Sequence, residues 1–225
     1  MAFLFVFMAV VVLGVIGVGT VLVIALARAG AKAERRRLDA LYAWTMANGW
    51  QLVEGNVDTP WRHRLAHLSR FGIRRLAHPV VHGLPVIAAD CHYTTYSTDS
   101  NGNSQSSTVA LSVFVARLPG RWPDVEVRSR QLGSRLMRAL GRQSRIETGH
   151  QLFDQRFSVA AADPRAVRAL LTSALVDAHL RGQAPPWSLQ GGELMLTSSG
   201  RLNPDGIRAE IERLGWLAEM LGYRA

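Results

Sequence analysis

The groups in this chain that could do nucleophilic, acid–base or metal chemistry are one cysteine, seven histidines and seventeen acids among 225 residues. Cys91 could act as a nucleophile with His92 or His150, since a thiolate needs a base within hydrogen-bond reach. Cys91 alternates with Ile87, Ala89 and Tyr93, however. Successive strand residues point to opposite faces, so His92 looks away from it. A buried lone cysteine is an inert small hydrophobe. His63 and His67 stand at i, i+4, a spacing that holds metal on a helix, and His78 and His82 repeat it around Pro79. Neither pair brings a third ligand, and Arg62 and Arg64 flank the first.

No Gly-x-Ser-x-Gly and no glycine-rich phosphate loop occurs, and Gly191-Gly192 reads as a turn. Asp90, Asp99 and Asp154 stand in unrelated contexts rather than as paired acids. The sequence therefore assigns no catalytic, cofactor-binding or metal-binding residue, and it reads as a non-enzyme without a cofactor. The alternative is a membrane-tethered enzyme with an unrecognised site.

The elements that would position these groups follow from periodicity and turn chemistry. Trp50 and Val53 mark a short strand, Asp58-Thr59-Pro60 a turn, and Trp61–Phe71 a basic, weakly helical stretch. Arg74–His82 and Leu84–Thr98 read as strands joined at His82-Gly83. Asn101-Gly102 then turns the chain into Ser107–Leu118, giving a long hairpin. Its polar tip, Thr98–Gln105, is the most loop-like segment and a place for a partner contact. Val125 and Val127 form a further strand, Ser129–Leu140 an amphipathic helix, and Arg145–Glu147 a short strand. Phe153–Ala161 becomes extended towards its end. One helix is expected from Asp163 as cap and Pro164 at N1 to Gly182, with Val167, Leu170, Leu171, Ala174, Leu175 and Ala178 on its apolar face. A Gly191-Gly192 hairpin and a final helix capped by Asn203 complete the chain. The expected class is α+β: one mainly antiparallel sheet with packed helices.

Ahead of this domain lies Ala2–Ala27, which contains no charged residue and one polar side chain, Thr20. A bilayer core needs roughly 20 apolar residues in a helix, so the run is long enough for a single N-terminal transmembrane helix. A cleaved signal peptide would carry a basic n-region and an apolar core of about 7–15 residues. Arg28, Lys32, Arg35, Arg36 and Arg37 follow the run. Positive charge on that side places the N-terminus outside and the domain in the cytoplasm of an inner membrane. The lone cysteine agrees with a reducing compartment. The expected division is residues 1–33 as anchor and basic flank and 34–225 as one cytoplasmic domain, with a helix from Glu34 to Asn48 able to continue from the span.

The formal charge is +9, almost all of it arginine, with Lys32 the single lysine. Basic residues beside a bilayer are drawn to anionic head groups by about 1 kcal/mol each. Nucleic acid is the other partner for such charge. Tyr93, Tyr96 and Phe114 could stack on bases, but no recognition motif accompanies them. The expected partners are the bilayer, anionic lipid head groups at Arg28, Lys32, Arg35, Arg36 and Arg37, and an unidentified membrane protein. A polyanion- or nucleic-acid-binding domain is the weaker alternative.

The run from Phe153 through Phe157, Val159 and Asp163-Pro164 leads into a helix. A Trp-Ser-Leu…Glu-Leu-Met-Leu hairpin and a closing helix follow it. Upstream, Gly83-Leu84-Pro85 opens a strand that hairpins into another ending at Leu118-Pro119. In these features, over residues 70 to 221, the chain resembles a bacterial, actinobacterial-type family of uncharacterised membrane-anchored proteins with a Phe-x-x-x-Phe-x-Val…Asp-Pro signature. The resemblance implies an α+β domain behind an N-terminal span. It implies no activity and no catalytic residues. The function read from the sequence is a single-pass membrane protein whose domain is a binding or scaffold module near anionic lipid.

Overall fold

The computed structural model describes residues 2–55, 57–81, 83–100, 102–130 and 145–224, apart from the side chains of residues 2–20, 81 and 145. The chain divides into two units, Met1–Trp44 and Thr45–Ala225. The first is built on helix α1 (Ala2–Ala47), which runs unbroken through Gly30 and past residue 33. Among the described residues no helix is long and apolar enough to cross a membrane.

The second unit is α+β around one antiparallel sheet. Its strands are β1 (Leu52–Glu54), β2 (Gly72–Ala77), β3 (Val80–Val81), β4 (Leu84–Thr98) and β5 (Ser104–Arg117), then β6 (Val125–Ser129), β7 (Arg145–Ile146), β8 (Phe157–Ala161), β9 (Trp187–Gln190) and β10 (Glu193–Ser199). They lie in the order β1-β2-β4-β5-β10-β9-β6-β8-β7, with β3 paired beside β4. The expected hairpins all form. β4 and β5 pair from Val86↔Ala116 to Thr98↔Ser104, and β9 and β10 pair across the Gly191-Gly192 turn. Both of those glycines have positive φ, which an L side chain rarely adopts. Two non-local pairings, β5 with β10 and β9 with β6, join the hairpins into one sheet.

Helices α2 (Gln151–Arg156), α3 (Pro164–Leu170), α4 (Ser173–Leu180) and α5 (Pro204–Met220) accompany the sheet. Helix α5 packs against β3, β4, β5 and β10, while α2 and α3 pack on β8. Ala88, Phe114, Leu196 and Trp187 are successive cross-strand partners and share one face. All four are buried. On the other face a 3-10 helix, Pro60–Leu65, lays Trp61 and Leu65 against Ala89, Cys91, Val113, Val115 and Met195.

One expectation is corrected, and one lies largely outside the described residues. The single helix from Asp163 to Gly182 is two. Asp163 caps α3 through Arg165 N, and Thr172 starts α4 by accepting from Leu175 N at 3.3 Å. The apolar period runs across this join, so it conceals the break. Phe153–Ala161 is extended towards its end as expected, in β8; ahead of it Phe153 lies in α2, where Asp154 accepts hydrogen bonds from Thr148 N, Thr148 Oγ1 and Gly149 N. Asp90 lies on the face of β4 opposite Cys91, as the alternation implies. It is fully buried, with Arg75 Nη1 at 3.5 Å, on a strand that α5 packs against. Of the helix expected over Ser129–Leu140, residues 131–140 lie outside the described residues; Ser129 belongs to β6.

The 3-10 segment is fastened to the sheet by a buried ion pair. Arg64 donates to Glu193 O at 2.9 Å, Gln190 O at 2.7 Å and Glu193 Oε2 at 3.1 Å. Burial pushes the guanidinium pKa down, opposed by the nearby Glu193 carboxylate. Removing one partner of such a pair strands the other charge and costs about 3–5 kcal/mol, whereas replacing both with apolar groups costs far less. Arg64→Met should therefore lower the unfolding free energy of the full chain by about 3 kcal/mol. Arg64→Met with Glu193→Met should recover at least half of that in urea titrations. Equal losses in the single and double variants would contradict the clamp.

Candidate functional site

Cys91 is not assembled as a nucleophile with His92 or His150. Burial, and then the neighbouring Asp90 carboxylate, push the Cys91 thiol up to about 12, with Arg62 opposing. The thiol therefore stays protonated and its sulfur inert. His92 lies on the opposite face of β4, with its ring over Gly72; a Cβ there would come within 2.6 Å of its Cε1. His150 is exposed ahead of α2.

The histidine pairs hold no metal geometry. His63 is exposed and donates through Nδ1 to Pro60 O at 2.5 Å, whereas His67 Nδ1 is buried without a hydrogen-bond partner. Burial also lowers the His67 pKa. His78 is exposed, and His82 lies outside the described residues. Among the described residues no three metal-ligating side chains come together. The hairpin tip satisfies itself: Asn103 N donates to Asp99 Oδ1 at 2.8 Å and Gly102 N to Asp99 O at 3.1 Å. Phe114 is buried in the core while Tyr96 is exposed, so these two cannot form one stacking surface.

The basic residues after the apolar run do form a pattern. At about 100° per residue, Arg28, Lys32, Arg35 and Arg36 fall within an arc of about 100° on α1 and extend about 12 Å along it. All four are exposed. Arg37 lies about 180° round from Arg28 and is paired instead with Glu34, Nη2 to Oε1 at 2.8 Å. Four of the five expected surface cations thus share one stripe, and the fifth is neutralised on the far side.

A second feature escaped the sequence reading. Beside the 3-10 helix lies a cavity of about 870 Å³. Arg62 and Arg70 bring positive charge to its wall, Asp58 one negative charge, His63 an imidazole, and Pro60 and Phe71 apolar surface. Arg70 has φ +52°, the one non-glycine with positive φ among the described residues. That conformation costs an L residue about 1–2 kcal/mol. Glycine or asparagine would sit there more cheaply. Thr59 also lines the cavity. It is 7 % exposed, and its hydroxyl makes no hydrogen bond, not even the cap bond its position before the 3-10 helix would allow. Trp61 Nε1 and Arg64 Nε in the same segment are likewise buried without partners. The basic character of residues 61–71 is visible in sequence, but the turn that folds Arg70 back beside Arg62 is not.

His179 shows how a buried histidine here is structural. Its ring lies 5.6 Å from that of Phe153 and 4.9 Å from that of Phe157, and Trp187 Nε1 donates to its Nε2 at 3.1 Å. The acceptor role of Nε2 puts the proton on Nδ1 and keeps the ring neutral. The Phe153, Phe157 spacing crosses the α2–β8 junction, which lets the two rings stack at 5.0 Å.

No protein-family model matches the chain, and neither a curated protein nor a solved structure matches it.

Burial pushes His179 from the ordinary 6.5 down to about 4, opposed by the Ala184 backbone. A base with a depressed folded pKa contributes its full stability above about pH 6.5 and loses it as pH falls towards 4. The total is about 3 kcal/mol. His67 and His92 shift in the same direction and add to the slope. Urea midpoints should fall between pH 7 and pH 4.5, and His179→Gln should flatten most of that fall. An unchanged slope in the variant would show that His179 does not cause it.

Proposed function

We propose that the chain is a single-pass inner-membrane protein, anchored by Ala2–Ala27, whose second unit is a non-catalytic binding or scaffold module close to anionic lipid. The observation that carries this reading is the continuity of α1. A charge-free run of 26 residues passes without a helix break into the exposed stripe of Arg28, Lys32, Arg35 and Arg36. Four cations at the bilayer surface are worth about 4 kcal/mol of attraction to anionic head groups. The same charges favour the N-terminus outside and the second unit in the cytoplasm. The buried, protonated Cys91 and the self-satisfied hairpin tip support a non-catalytic role. The resemblance to membrane-anchored bacterial proteins points the same way.

A C-terminal tag on the full chain should resist protease added to spheroplasts and become sensitive on lysis. Changing Arg28, Lys32, Arg35 and Arg36 together to Glu should expose the tag in a substantial fraction of molecules. Digestion of the wild-type tag from outside would overturn the orientation.

A further inference from the structure

We infer that the cavity beside the 3-10 helix is a binding site for a small phosphomonoester that carries an apolar portion. The inference rests on reading the second unit as a binding module, and names its ligand class; it does not depend on the anchor.

Two arginines and a histidine line one concavity. Guanidinium matches phosphate oxygens in a two-point geometry. His63 donates Nδ1–H to Pro60 O, which leaves Nε2 to accept from a ligand hydroxyl or a protonated phosphate oxygen. Asp58 suits a hydroxyl or a partly protonated phosphate oxygen better than a second anionic group. Pro60 and Phe71 offer a surface for a ring or short hydrocarbon portion, and the cavity volume of about 870 Å³ is within the range of small-ligand sites.

The backbone supplies the independent observation. Arg70 is held in a left-handed conformation that favours glycine or asparagine, yet an arginine stands there and lines the cavity. Strain of this kind collects where a side chain serves a site rather than the fold. The buried Thr59 in the same wall, whose hydroxyl has no protein partner, adds a second polar group not committed to the fold.

Phenyl phosphate is the probe, titrated into the full chain in a nonionic detergent and followed by calorimetry and melting temperature. The expected result is saturable binding, tighter than that of inorganic phosphate, with no binding of phenol. Arg62→Ala and Arg70→Asn should each weaken it at least tenfold. Arg70→Asn should leave the unliganded melting temperature unchanged or raised, because asparagine tolerates positive φ. A second arm places the chain in phosphatidylcholine nanodiscs with or without phosphatidic acid. Arg70-dependent association with phosphatidic acid alone would identify a lipid head group as the source, and binding of the soluble probe a free metabolite. No saturable binding in either arm, or affinity indifferent to Arg70→Asn, overturns the site. Failure of the anchor appears separately, as release of the chain from membranes with the phenyl phosphate isotherm intact.

Discussion

Antiparallel pairing of β4 with β5 in a single register carries the rest of the second unit. A slip of one residue would move every side chain to the other face. In the observed register Ala89 and Cys91 lie with Val113 and Leu111 under the 3-10 segment, while Ala88 and Phe114 face α5. Because both faces are covered, neither strand shows simple inside–outside alternation, and Asp90 is drawn into the interior with Arg75 beside it. β10 docks on the same strand β5 and brings β9, β6 and β8 with it.

That register also sets where the cavity can exist. β10 presents Glu193 at its start, and Glu193 with Gln190 receives the Arg64 guanidinium. The clamp fixes Pro60–Leu65 on the sheet, and the following turn brings Arg70 round to the same wall as Arg62 and His63. Thr94 N reaches Ser69 O at 2.7 Å, so β4 itself holds that turn. The cavity is thus bounded by a segment whose own polar atoms are incompletely satisfied but whose Trp61, Leu65 and Leu68 are firmly packed.

Features governed by local chemistry were legible in the sequence. Asn203-Pro204 starts a helix where it should, Asn203 Oδ1 accepting from Gly206 N at 2.8 Å. Gly191-Gly192 turns a hairpin, and the α+β class with one antiparallel sheet follows from local strand pairing. Features that depend on distant partners were not legible. Arg64 and Glu193 are 129 positions apart. Asp90 is buried beside Arg75 of the neighbouring strand, a pairing that only the β2–β4 register creates. The break at Thr172 hides inside a continuous apolar period. Of the candidate site, the cations on α1 were visible as composition, and their arrangement as a stripe needed the helix phase to be known. The cavity needed the left-handed turn at Arg70, for which no glycine or asparagine signals.

The proposal joins a bilayer-entering helix to a module with a cation-lined cavity of about 870 Å³. Its central claim is that α1 is integral to the membrane rather than attached at its surface by charge. Alkaline carbonate extraction of membranes carrying the full chain separates these most directly, because high pH and salt remove proteins held by electrostatics and leave spanning helices in place. The account predicts that the chain stays in the membrane pellet. Its release into the supernatant would contradict it.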